Sequence, residues 1–138
     1  MNNLFNNISP LDNRYSSKIS TTRSNFSEAA LVKTRYIIEI DWLIYICMNK
    51  PDLFKSISKT TINKLNKLKS LFNDNSVMRI KEIESVTNHD VKAVEYFIRE
   101  QFEKDTVLKN YIHLIHFGLT SEDINSLSYA VMIKEGLS

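Results

Sequence analysis

The sequence predicts an all-α fold, and two observations lead to this prediction. Only two glycines and two prolines occur in 138 residues, which leaves little material for the tight turns that connect β-strands. Apolar residues also recur at spacings of three and four along several segments, which is the period of one face of a helix. No internal repeat, low-complexity tract or convincing strand pattern interrupts these segments. We therefore expect about six helices after an N-terminal arm.

The chain is expected to consist of an arm and one helical domain. Residues 1–24 are predicted to be an extended polar arm, because residues 9–12 have turn chemistry and no helical period appears. Residues 25–138 are predicted to be a helical domain whose first helix begins at a capping pair, Asn25 and Glu28. The apolar stripe of this first helix consists of Leu31, Ile38, Trp42, Tyr45 and Ile46.

Five more helices follow from the same spacing rule. Pro51 suits the first turn of the second helix, residues 73–76 would end it, and Gly118 suits the end of the fifth. The last helix has an apolar stripe with little sequence left to cover it, so the chain looks cut short. The second helix is expected to begin near Pro51, and the third to cover residues 77–86. The fourth should run from near Asp90 to about Glu103, the fifth should cover 107–117, and the sixth should begin at residue 120.

Composition excludes several classes of partner. The 18 basic and 16 acidic side chains leave a formal charge of +2, which does not favour nucleic acid or a membrane surface. The single Cys47 lies in an apolar run, so we expect it to be buried, and one cysteine fits a reducing compartment. The sequence has neither a secretory signal nor an apolar stretch long enough for a bilayer. It predicts a cytoplasmic protein.

The most informative motif is Asn88-His89-Asp90, just before the predicted fourth helix. Asp90 or Asn88 would cap that helix through a side-chain oxygen. The positive end of the helix dipole favours an anion at the same place. We therefore treat the three side chains as a candidate binding site, and the alternative is a capping turn that happens to contain a histidine.

Two further polar motifs have the chemistry of anion binding. Thr120 and Ser121 begin the sixth helix with Asp123 at a capping-box position, and their hydroxyls, together with free N–H groups, could also hold a carboxylate. Arg14 and Tyr15, on the arm, offer a fork of donors and a phenol that suit a phosphate or a carboxylate. Each motif alone is a weak signal.

Several common sites are missing from the sequence. It has no glycine-rich phosphate loop, no His-Glu-x-x-His spacing and no nucleophile elbow. His113 and His116 are three residues apart, but their neighbours are apolar, so we expect no metal site. His116 is predicted to be packed rather than catalytic.

Taken together, and in their order along the chain, the three motifs resemble the adenylosuccinate lyase family of the fumarase/aspartase superfamily. The resembling segments are residues 9–15, 87–96 and 116–125, and the resemblance runs from Ile8 onward. The Thr-Ser segment is shared across the superfamily, whereas the Arg-Tyr arm and the Asn-His-Asp run are more specific. The resemblance implies the N-terminal helical domain of the fumarase/aspartase-type fold.

The resemblance also implies a reaction and a set of partners. The family releases fumarate by β-elimination from adenylosuccinate, giving AMP, and from the succinyl-carboxamide ribotide of purine synthesis. It uses neither a metal nor an organic cofactor, its substrates are polyanionic nucleotides, and the enzyme is a homotetramer. A base removes a proton from the carbon beside a carboxylate, and an acid protonates the departing nitrogen.

Roles for the site residues follow from the resemblance alone. Arg14 and Tyr15 would bind the nucleotide near its phosphate, and Thr120 and Ser121 would hold a carboxylate of the succinyl part. The Asn-His-Asp segment would line the substrate pocket, with His89 orienting the substrate rather than acting as the acid or the base. Asn88 and Asp90 are the other two members of that segment.

This chain departs from the family in its length. The members are several times longer, and they carry the general-acid histidine and the catalytic serine in later segments that nothing here matches. We therefore expect the isolated chain to be inactive. The alternative is a non-enzymatic helical remnant or interaction module. Argininosuccinate lyase would share the Thr-Ser segment, but not the Arg-Tyr arm or the Asn-His-Asp run.

Overall fold

A computed structural model describes residues 15–50, 52–54 and 56–138. These residues form six α-helices and two short 3-10 segments, with no strand among them, so the all-α prediction is confirmed. The 3-10 segments are Ser16–Lys18 and Leu108–Leu114. The α-helices are α1 (Ser20–Phe26), α2 (Glu28–Asn49), α3 (Lys59–Ser70), α4 (Asp74–Thr87), α5 (Asp90–Glu103) and α6 (Ser121–Gly136).

Helix α2 is the centre of the fold. Its buried residues Tyr36, Ile40 and Leu43 pack in one core with residues from α3, α4, α5 and the second 3-10 segment, while α1 and α6 pack elsewhere on α2. The phenol of Tyr36 donates to Gln101 Oε1 at 2.7 Å, which ties α2 to α5 inside this core. Cys47 is buried, as predicted, and burial raises the pKa of its thiol.

The start of the chain differs from the prediction of an extended arm. Residues 1–14 lie outside the described part, but Ser20–Phe26 form α1, so the extended prediction is wrong for residues 20–24. The cap of α2 is also different, because Ser27 has an extended backbone and its hydroxyl accepts from Ala30 N–H at 3.2 Å. Asn25, the predicted cap, lies inside α1 instead.

Two other helix starts also differ from the prediction. Helix α3 begins after Ser58, whose hydroxyl accepts from Thr61 N–H at 3.1 Å, and Pro51 lies outside the described residues. Residues 73–76 begin α4 instead of ending its predecessor. Asn73 Oδ1 accepts from Ser76 N–H at 3.3 Å, and Ser76 Oγ accepts in return from Asn73 N–H, which is a capping box.

The segment after α5 winds as a 3-10 helix (Leu108–Leu114) and not as the predicted α-helix. Asp105 organises its start, since Oδ1 accepts from the N–H groups of Val107 and Leu108 at 2.8 and 3.0 Å. Its Oδ2 lies 2.7 Å from Lys64 Nζ on α3. The Lys64 ammonium and these two N–H groups lower the pKa of Asp105 to about 2.

Acid should remove the stabilisation that the Asp105 charge provides. Because the folded-state pKa is depressed from 3.8 to about 2, this contribution is complete above about pH 4 and is lost as pH falls towards 2. The Asp105→Asn variant keeps an oxygen acceptor but removes the charge. Thermal melts should show wild type more stable than Asp105→Asn at pH 5, and most of this difference should be lost at pH 2. If the stability difference between wild type and Asp105→Asn were the same at pH 5 and at pH 2, the depressed pKa of Asp105 would be contradicted.

None of the described helices has both the length and the apolar character that crossing a membrane requires. Even α2, the longest, buries the charged side chains of Arg35 and Glu39. Buried charges are normally paired, and both of these side chains point to the site described next.

Candidate substrate-binding site

The first turns of α5 and α6 are packed together by a small apolar cluster. It joins Ile38 of α2, Val91 of α5 and Ile124 of α6, with Leu119 against them. This packing brings the Asn-His-Asp and Thr-Ser motifs to one place, where His89 Nε2 lies 3.5 Å from Ser121 Oγ. Two motifs 32 residues apart in sequence therefore form one site.

His89 itself caps α5, which corrects the prediction that Asp90 or Asn88 would do so. Its Nδ1 accepts from the Lys92 N–H at 3.2 Å. A neutral imidazole that accepts at Nδ1 carries its proton on Nε2. The Nε2–H group therefore faces Ser121, and the side chain is 47% exposed, so a ligand can reach it.

Asn88 forms the joint between α4 and α5. It has the left-handed backbone conformation, with φ +52°, and its N–H donates to Glu84 O at 2.8 Å to end α4. Asparagine tolerates this conformation better than most residues. Only Asn88 and His89 separate α4 from α5, which fixes the place of the imidazole.

Asp90 is held by a buried arginine. Asp90 Oδ2 lies 2.7 Å from Arg35 Nη2, and Oδ1 accepts from Val91 N–H at 2.8 Å. Partial burial acts to raise the pKa of Asp90, but the Val91 N–H and the Arg35 guanidinium outweigh it and lower the pKa. Asp90 therefore stays ionised at neutral pH and anchors the first turn of α5 to α2.

An open pocket of about 620 Å³ lies beside these residues. Lys81 is its one lysine, and this ammonium pairs with Glu28 at 2.6 Å and with Glu84 at 2.8 Å. Burial acts to lower the pKa of Lys81, but the two carboxylates outweigh it and raise the pKa. The lining side chains are Lys81, Glu84, Ser85, Asn88, His89 and Asp90.

Thr120 caps α6, as the capping pattern predicted. Its N–H donates to Asp123 Oδ2 at 2.8 Å, and the two residues form a capping box. Thr120 is exposed and Ser121 is half-buried, so both hydroxyls can be reached from outside. Gly118, with φ +71°, provides the left-handed turn that leads into this helix.

The turn before Thr120 is tied to α2 by two side chains. Trp42 Nε1–H donates to Phe117 O at 2.8 Å, and His116 Nδ1 lies 2.6 Å from Glu39 Oε1. His116 is thus packed, as expected. The described residues contain no cluster of three potential metal ligands, and His113 is exposed.

Sequence reasoning missed Arg35, Glu39 and Lys81. A charged residue inside a buried helix is itself a signal, and Arg35 and Glu39 interrupt the apolar stripe of α2 one turn apart. Lys81 precedes Asn88 by two turns of α4, so it lies on the same helix face. Arg14 lies outside the described residues and Tyr15 is their first member, with an exposed side chain. The predicted roles of both remain predictions.

Sequence comparison extends these observations. The chain is 42% identical over 135 residues to adenylosuccinate lyase of Legionella pneumophila (strain Corby), which is 96% of this chain and 29% of that enzyme. It is 42% identical over 128 residues to adenylosuccinate lyase of Buchnera aphidicola subsp. Schizaphis graminum, covering 92% and 28%. Adenylosuccinate lyase of Escherichia coli (strain K12) is 41% identical over 128 residues, with the same coverage.

No family profile matches the chain. The chain spans less than a third of the length of these relatives, and the match covers nearly all of the chain itself. The described helices agree with the helical N-terminal domain expected from the resemblance. The chain is therefore homologous to the N-terminal portion of adenylosuccinate lyase.

Proposed function

We propose that this chain is the N-terminal, substrate-binding part of an adenylosuccinate lyase. The complete enzyme would release fumarate from adenylosuccinate, giving AMP, and from the succinyl-carboxamide ribotide. One observation carries the proposal: the Nε2–H of His89 and the hydroxyl of Ser121 meet at 3.5 Å beside an open polar pocket. As part of the same proposal, the complete enzyme is a cytoplasmic homotetramer.

The donors at the start of α6 suit a carboxylate of the succinyl group. Thr120 and Ser121 offer hydroxyls, and the helix dipole favours a negative charge. The first turn of α6 also presents N–H groups without partners further along the helix, although that of Asp123 bonds to Thr120. His89 adds an N–H from the side of α5. Hydrogen bonds to a charged group contribute about 1.5–3 kcal/mol each, so these donors would orient a dicarboxylate strongly.

The charge of the pocket supports a role for the N-terminal arm. The lining contains one ammonium, Lys81, and two carboxylates, Glu84 and Asp90, so the described lining has no excess of positive charge. A substrate with a phosphate and two carboxylates requires further cations. Arg14 would supply one near the phosphate with Tyr15 beside it, and later segments of a longer chain would supply others.

The chemistry of the elimination is assigned to groups outside this chain. A base must take the proton from the carbon beside a carboxylate, and an acid must protonate the departing nitrogen. His89 uses Nδ1 to cap α5 and offers only an N–H to a ligand, so it orients the substrate. Each missing acid or base role would cost on the order of 10²–10⁴ in rate.

A fumarate-release assay tests this proposal. The 138-residue chain alone should release no fumarate from adenylosuccinate. A protein expressed from the same reading frame, extended to the length of the relatives, should release it readily. No activity from such an extended, folded protein would contradict the proposal.

The exposed apolar face of α6 supports a second candidate, a non-enzymatic interaction module. Tyr129 and Ile133, which lie one turn apart on α6, are each about half exposed, and an apolar patch of this kind is typical of a surface that contacts protein. A stop codon after Ser138, together with micromolar binding of the chain to a full-length homologous lyase subunit, would favour the module over the enzyme.

A further inference from the structure

The carboxylate of Glu39 has an unusual environment. Its side chain lies in the middle of α2 and is 1% exposed. One oxygen, Oε1, lies 2.6 Å from His116 Nδ1, and the other, Oε2, has no hydrogen-bond partner among the described residues. Burial raises the pKa of Glu39, and the hydrogen bond with His116 opposes this. Because a buried carboxylate is costly, its single contact with His116 must matter to the fold.

His116 is held in a strained conformation at the same contact. It has φ +61°, a left-handed backbone that is uncommon for residues other than glycine, although histidine, like asparagine, adopts it more often than most residues with a Cβ. The imidazole lies between two carboxylates, since its Nε2 is 3.8 Å from Glu95 Oε1 on α5. A left-handed histidine persists only where its surroundings hold it.

The charged contacts continue from His116 to the other half of the site. Glu95 Oε2 accepts from Lys92 Nζ at 2.8 Å, and the backbone N–H of the same Lys92 donates to His89 Nδ1. These contacts therefore link α2, the turn before α6 and the first turn of α5, through Glu39, His116, Glu95 and Lys92. No other titratable side chain is in hydrogen-bond or ion-pair contact with the His116 imidazole among the described residues.

His116 also sets the direction in which the chain enters α6. Its carbonyl accepts from Leu119 N–H at 3.3 Å, and Thr120 and Ser121 follow directly. A change at His116 would therefore move both hydroxyls relative to His89.

We propose that Glu39 is a positioning residue, which holds His116 left-handed and thereby places the hydroxyls of Thr120 and Ser121 against His89. The value of this placement for catalysis rests on the proposed function, but the placement is a property of this chain alone. It can be measured without substrate, so its failure is distinguishable from a failure of the proposed function.

The Glu39→Gln variant of the 138-residue chain tests the proposal. Glutamine keeps the shape and removes the charge, so amide hydrogen exchange should become about tenfold faster at Thr120 and Asp123, whose N–H groups donate hydrogen bonds at this helix start. A tenfold change is the loss expected for one hydrogen bond to a charged group. The ¹⁵N signal of His116 Nδ1 should lose the shift typical of a hydrogen bond to a carboxylate. Glu100→Gln, which removes an exposed partner of Arg79, is the matched control and should leave both signals unchanged.

His116→Gly distinguishes positioning from simple backbone strain. Glycine suits φ +61°, so strain relief alone would leave exchange at Thr120 and Asp123 unchanged or slower. If the Glu39 contact positions the turn, exchange becomes faster although the backbone is relieved, and adding Glu39→Gln to His116→Gly causes no further change. Slower or unchanged exchange in His116→Gly, or unchanged exchange in a folded Glu39→Gln, would overturn the proposal.

Discussion

Replacing His89 with asparagine in the extended enzyme is expected to lower kcat/KM for adenylosuccinate by about 100-fold, with little change in Tm. Asparagine is a good N-cap, so it can take over the bond that His89 Nδ1 accepts from Lys92 N–H. It cannot reproduce the Nε2–H that faces Ser121. The loss of one hydrogen bond to a charged group, about 1.5–3 kcal/mol, corresponds to about 10- to 150-fold.

The His89→Ala variant separates capping from binding. Alanine loses both functions, so kcat/KM should fall as much as in His89→Asn, and the free energy of unfolding should fall by about 1 kcal/mol in addition. Steady-state kinetics and thermal melts on both variants give the comparison. If His89→Asn keeps wild-type kinetics, His89 is a capping residue and has no part in substrate binding.

The largest expected loss of stability comes from Phe102, at the end of α5. Its side chain is 0% exposed, in the core that joins α2, α5 and the 3-10 segment. Phe102→Ala should lower the free energy of unfolding by about 3–5 kcal/mol, through lost burial and the cavity left behind. Urea denaturation of the 138-residue chain measures this change.

Val86→Ala is the matched control for Phe102→Ala. Val86 is 82% exposed, so its truncation should change the free energy of unfolding by about 0.5 kcal/mol or less. A cost below about 1 kcal/mol for Phe102→Ala would mean that α5 does not pack in this core.

Local periodicity was sufficient to predict several elements. Helix α5 has the bounds expected from the spacing of its apolar residues, since it runs from Asp90 to Glu103. Cys47 is buried as its apolar neighbours indicated. These features depend on residues close in sequence, whose spacing directly indicates which of them share one face of a helix.

Caps were harder to predict, because neighbouring residues compete for the same role. Asn25 and Ser27 both have capping side chains, and the extended backbone at Ser27 decides between them. Asn88, His89 and Asp90 form a similar run, in which the left-handed backbone at Asn88 ends α4 and makes His89 the cap of α5.

Long-range contacts could not be read from the sequence. Arg35 reaches Asp90 across 55 positions and Glu39 reaches His116 across 77. Nothing in the local pattern of α2 identifies these partners, because helix packing decides them. The charges inside an apolar stripe were a usable signal that partners existed.

A crystal structure of the extended enzyme with bound adenylosuccinate would test the proposed site most directly. We expect a carboxylate of the succinyl group within hydrogen-bond distance of Ser121 Oγ and His89 Nε2, at the start of α6. A ligand bound elsewhere, with His89 and Ser121 contacting only protein, would contradict the assignment of these residues to the substrate site.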